Sequence, residues 1–91
     1  MEIRWNKEKN ILLKKERGIC FDDVMVAIHE GRIVDIVEHH NKERYPNQKI
    51  LIVEIGSYAY LVPFVIDGDG IFLKTVIPSR KATKKYLRRR S

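Results

Sequence analysis

The chain predicts an α+β domain in which two N-terminal helices pack on an antiparallel β-meander of about four strands, closed by a short basic C-terminal helix. Three observations carry that prediction. Residues 7–30 place apolar side chains at helical spacing in two segments, each followed by a glycine, Gly18 and Gly31. From residue 33 onward, β-branched and aromatic runs alternate with turns short enough for hairpins. After Pro78 and Ser79 the chain changes character again, to a run rich in Lys and Arg that opens with a good helix cap. At 91 residues the whole chain, 1–91, forms one domain.

Residues 2–5 alternate and suit a short edge strand. Asn6 is an N-cap for a helix over residues 7–17, whose only apolar stripe is Ile11, Leu12 and Leu13. A second helix begins at Asp22 or Asp23, with Phe21, Val24, Met25 and Ile28 on one face, and stops at Gly31. Residues 33–37 start the sheet, and the polar loop 38–48 follows. Three strands come next, 49–55, 59–66 and 71–77, joined by Gly56-Ser57-Tyr58 and by Asp67-Gly68-Asp69-Gly70. Helices on one face of an antiparallel sheet are the economical packing for this order. Pro63 deletes a ladder hydrogen bond, so a bulge or an edge is expected there.

Strand alternation divides the sheet into two faces. Leu51, Val53 and Ile55 point one way, and Ile50, Ile52 and Glu54 the other. In the last strand Ile71, Leu73, Thr75 and Ile77 oppose Phe72, Lys74 and Val76. The face marked by Glu54 and Lys74 is less buried, yet more apolar than a solvated face, so a partner protein is one expected cover.

Charge is distributed unevenly. The net charge is +6, and residues 79–91 hold seven Lys or Arg with no Asp or Glu. Residues 21–78 carry nine acids against five cations. Arg80 and Lys81 sit where the helix dipole repels cations, and Lys81–Lys85 and Lys84–Arg88 are like-charge pairs one turn apart. A polyanion reverses the sign of each of these terms, which points to nucleic acid; a solvated, solubilising tail is the plainer reading. No apolar run approaches a membrane span, and residues 1–10 lack a signal-like apolar segment, so a cytoplasmic protein without membrane contact is expected. The lone Cys20 fits a reducing compartment and reads as a core residue rather than a nucleophile.

Few chemistries fit these residues. The adjacent His39 and His40 and the single cysteine do not make a metal set, and no cofactor is expected. Residues 67–70 echo a calcium loop, but Pro78 occupies the position of its closing Glu, so a turn is expected. Neither a phosphate-binding glycine loop nor a nucleophilic triad stands out. RNA cleavage without a metal requires only a base, an acid and cations for the phosphorane. Arg80 and Lys81 near a helix start can hold phosphate, with Lys84, Lys85 and Arg88 extending the RNA-binding run. Lys49 and Lys74 are candidates for transition-state stabilisation, and His39 or His40 for proton transfer, with Arg44 in the same loop. Tyr60 and Tyr86 are candidate base-stacking platforms. For every one of these the plain alternative is a solvated loop or a core edge.

Four segments carry a resemblance: IRWNKEKN at the start, RGICFDDV after the first helix, EIG at a strand end, and VIPSRKATKKY. Together they resemble the BrnT family of bacterial toxins, which is similar in fold to the RelE-type ribonucleases; Arg80-Lys81-Ala82-Thr83 is the most specific part. The resemblance implies a metal-independent endoribonuclease toxin of a type II toxin–antitoxin module that cleaves mRNA. It implies a ribbon-helix-helix antitoxin as partner, with promoter DNA bound only through that antitoxin. Arg80 and Lys81 fall on the shared motif, in the role of holding phosphate. Pro78 stands where better-known members carry a small polar residue, and Lys74 and Thr75 where they tend to carry an Arg. Two other readings stay open: a non-catalytic RNA- or DNA-binding module, and an inactive toxin-like interaction protein.

Overall fold

A computed structural model describes residues 2–88. Arg89 and Arg90 of the basic run lie outside the described residues. The described chain is α+β, with the order β1 (Ile3–Trp5), α1 (Lys7–Arg17), α2 (Phe21–His29), β2 (Ile33–Glu38), β3 (Gln48–Ile55), β4 (Tyr58–Asp67), β5 (Gly70–Leu73), β6 (Ile77–Pro78) and α3 (Arg80–Ala82), which runs on into a π-helical turn, Thr83–Leu87. The sheet is larger than the expected four-stranded meander and is mixed rather than antiparallel. Its strands lie in the order β1-β5-β4-β3-β2, with β6 paired to β4. β1 pairs in parallel with β5, and the remaining pairs are antiparallel. β1 takes the edge position the sequence suggested. Gly70 allows this: a Cβ there would lie 2.1 Å from the carbonyl oxygen of Glu2.

Local chemistry sets the helix ends. The Asn6 side chain accepts from the Lys9 N–H at 2.9 Å, and Gly18 closes α1 with φ 74°. α2 starts at Phe21, one or two residues earlier than expected, with Cys20 as N-cap and the Asp23 carboxylate accepting from the Cys20 N–H at 2.9 Å. Asn10 ties the helices together, accepting from the Phe21 N–H at 2.7 Å and donating to Asp22 at 2.9 Å. The β3–β4 hairpin turns on Gly56 and Ser57, with φ of 59° and 66°, the double left-handed conformation of a tight two-residue turn.

The expected single strand over 71–77 is broken. Phe64 pairs with Leu73, but Leu61 pairs with Ile77, so Val62 and Pro63 oppose the three residues 74–76. This is a bulge at the place Pro63 suggested, with the extra residue on the partner strand. Pro63 supplies the cause. Its carbonyl accepts from the Lys74 N–H at 2.8 Å. In an extended strand the N and O of one residue face the same neighbour, so the missing N–H of Pro63 also faces this break. The inserted residue reverses the alternation beyond it: Leu73 and Val76 both enter the core, and Ile77 is 40 % exposed.

Two clusters lie on the two faces of the sheet. The larger holds Leu13, Phe21, Val24 and Ala27 of the helices against Leu51, Val53, Val62, Phe64, Leu73 and Val76. Trp5 stacks on Phe21 at its margin, ring centroids 5.7 Å apart. The smaller holds Ile52, Ala59 and Ala82, with Val34, Val37, Ile50, Leu61, Tyr86 and Leu87 packed around them. The second sheet face is therefore covered in part by the chain's own C-terminal segment. The helices do not all lie on one side.

Candidate nucleic-acid interface

The C-terminal segment is amphipathic, and that controls where its cations go. Ala82, Tyr86 and Leu87 pack on the sheet, while Arg80, Lys81, Lys84, Lys85 and Arg88 are exposed. Ser79 caps the segment as expected, its hydroxyl accepting from the Ala82 N–H at 3.0 Å. Two polar latches hold it down. The Thr83 hydroxyl donates to the Ser79 carbonyl at 2.7 Å and accepts from the Ala59 N–H at 2.9 Å, joining the segment to β4. The Tyr86 hydroxyl donates to Asp35 on β2 at 2.6 Å. That bond, then the Ile36 N–H, holds the Asp35 carboxyl below its ordinary range, and the same bond raises the Tyr86 phenol. The Arg88 N–H reaches back to Thr83, the five-residue step of a π turn, a distortion common at functional sites.

Beside this segment lies a groove of about 470 Å³ lined by Tyr58, Arg80, Thr83, Lys84 and Arg88. Three of its five lining residues are cations. Arg80, Lys84 and Arg88 are thus brought together on one surface, as a phosphate-binding reading requires. Lys81 and Lys85 are exposed on the same segment; Lys85 lies over the Tyr86 ring at 5.2 Å.

The remaining candidates stand elsewhere. Lys74 leaves the sheet at the bulge. It lines a groove with Asn6, Glu8, Lys9, Leu12 and Phe72 at the start of α1, its ammonium 5.6 Å from the Phe72 ring centroid. Lys74 keeps the side of Phe72, opposite the buried Leu73, as strand alternation expects, but it stands beside α1 and not in the cationic groove. Lys49 lines a third groove with Ile36, Phe64, Ile66 and Ile71. His39 and His40 stack on each other at 4.6 Å in the β2–β3 loop, and His39 meets the Tyr45 ring at 4.5 Å. His39 Nδ1 accepts from the Asn41 N–H at 3.1 Å, and Arg44 lies over Tyr45 at 5.5 Å. Tyr86, a stacking candidate in the sequence, is committed to Asp35 instead. Cys20 is buried, and burial pushes its thiol up, away from thiolate chemistry.

Sequence reasoning passed over Tyr58, Thr83 and Asp35. For Thr83 a signal existed: residues 82, 83, 86 and 87 repeat at helical spacing and mark an inward stripe. For Asp35 there was none, because its partner lies 51 residues away.

The fold and this surface define a small α+β protein with a mixed sheet and a cation-rich groove. Comparison with family models, with curated proteins and with solved structures gives no match for this chain.

Proposed function

We propose that this chain is an RNA-directed toxin of a toxin–antitoxin pair, a metal-independent endoribonuclease of the RelE-like kind, neutralised by a ribbon-helix-helix antitoxin. The observation that carries the RNA-binding part is the groove in which Arg80, Lys84 and Arg88 converge beside Tyr58. Cations along one segment with an aromatic ring among them suit a phosphate backbone with unpaired bases. Docking of Ala82, Tyr86 and Leu87 on the sheet supports the same reading, because it turns the like-charged side chains outward together. The cleavage and antitoxin parts rest on the resemblance of residues 76–86 and of the three other segments to BrnT toxins.

A second reading, a non-catalytic RNA-binding module, is favoured by the separation of Lys49, Lys74, His39 and His40 from that groove. Incubation of purified protein with mRNA in EDTA separates the two. The toxin reading expects cleavage that persists with chelator and disappears in Arg80→Ala. Intact RNA with salt-sensitive binding leaves the binding module. Absence of both cleavage and binding at low salt contradicts both readings.

A further inference from the structure

A second groove, of about 570 Å³, is lined by Arg17, Ile19, Tyr60, Val76, Ile77 and Pro78. It is connected to the cationic groove through a pair of tyrosines. Tyr58 and Tyr60 are two residues apart on β4, so their side chains emerge from the same face. Their ring centroids are 5.8 Å apart and their planes are inclined at 67°. Tyr60 belongs to one groove and Tyr58 to the other. At the far side, Arg17 donates to the Val76 carbonyl at 3.0 Å, which fixes its guanidinium over the bulge. The order along the surface is a cation, two aromatic rings, then three cations.

We propose that single-stranded RNA lies along this track, with one base against Tyr60, another against Tyr58, and its backbone phosphates held by Arg17 at one end and by Arg80, Lys84 and Arg88 at the other. The inference rests on the RNA-directed reading above and specifies the form of the substrate. The inclination of the rings selects a single strand. Bases in a duplex are parallel and enclosed, whereas two platforms inclined at 67° accept bases splayed apart. No side-chain amide or carboxylate is among the lining residues of either groove, so recognition falls to ring faces and phosphates and is tolerant of sequence. Both tyrosines are half-buried, so each ring is held by the protein while part of its surface stays open.

The test is fluorescence anisotropy with a short labelled 2′-O-methyl RNA of mixed sequence, which cannot be cleaved through its 2′-oxygen, single-stranded and annealed to its complement. Tyr58→Leu and Tyr60→Leu keep apolar bulk and remove the ring. Each is expected to weaken single-strand binding about 5- to 150-fold, the range for loss of one stacked base. The thermal midpoint and the slope of affinity against salt are expected to stay near wild type. Tyr58→Phe and Tyr60→Phe are expected to restore binding, and the duplex to bind more weakly than the single strand. Folded Leu variants with wild-type affinity, or a duplex bound as tightly as the single strand, overturn the track. If those variants bind normally while Arg80→Ala does not, the track falls and the phosphate groove stands. If the wild-type protein binds no RNA at low salt, both fall.

Discussion

The two faces of the sheet are covered by different means. On one, α1 and α2 bury Leu13, Phe21, Val24 and Ala27 against five strand residues that are also nearly inaccessible, and the contact is predominantly apolar. On the other, a segment of nine residues buries only Ala82 and depends on hydroxyl groups, Thr83 to β4 and Tyr86 to β2. The first arrangement is built for stability. The second presents five cations to solvent at the lowest cost in apolar surface, and hydrogen bonds fix its orientation where hydrophobic packing alone would let it shift. The apolar core and the cations of residues 80–88 are thereby concentrated on opposite faces, and substitutions in the core and of those cations should separate accordingly.

The largest effect is expected from Phe21→Ala. Phe21 is inaccessible and stacked on Trp5, and its truncation should cost about 3–5 kcal/mol in denaturant unfolding. Thr83→Val keeps the shape of the side chain and removes both hydroxyl bonds. It leaves the N–H of fully buried Ala59 without its partner, and a loss of about 1–3 kcal/mol is expected in the same measurement. A loss for Thr83→Val as large as that for Phe21→Ala would break the division between faces.

Tyr86→Phe should act through pH. The lowered Asp35 carboxyl contributes stability that is present above its unfolded value near 4 and is lost as pH falls through the lower folded value. The raised Tyr86 phenol contributes stability that is present below its unfolded value near 10 and is lost as pH rises through the higher folded value. The difference in thermal midpoint between wild type and Tyr86→Phe should therefore be greatest between about pH 4 and 10 and shrink outside that window. In the variant the Asp35 carboxyl should titrate higher, which carboxyl NMR measures directly. A difference independent of pH would remove the Tyr86–Asp35 bond from the account.

What could be read in the sequence follows from how local each signal is. Asn6, Gly18 and Ser79 announced their helix ends because a cap acts within three or four residues. The faces of β3 were legible because strand alternation is unbroken there. Beyond Pro63 that logic failed. Residue 63 interrupts a ladder whose other strand lies more than ten residues away, and one inserted residue moved Val76 and Ile77 off their expected faces. The excess of apolar groups on the second face was visible, but its cover was sought in a partner. The cover was encoded in Ala82, Tyr86 and Leu87, hidden among lysines and arginines that drew attention to charge. The parallel β1–β5 pair joins residues as far apart as Ile3 and Ile71 and left no local trace beyond Gly70.

The central claim is that the outward cations of residues 80–88 act together on an RNA backbone. Its most direct measurement is the affinity for single-stranded RNA as a function of salt, for wild type and for the double variant Arg80→Ala, Lys84→Ala. Each phosphate contact adds about 0.7 to the slope of log affinity against log salt, so the double variant should lose about 1.4 from that slope while its thermal midpoint holds. An unchanged slope in a folded double variant would contradict the claim.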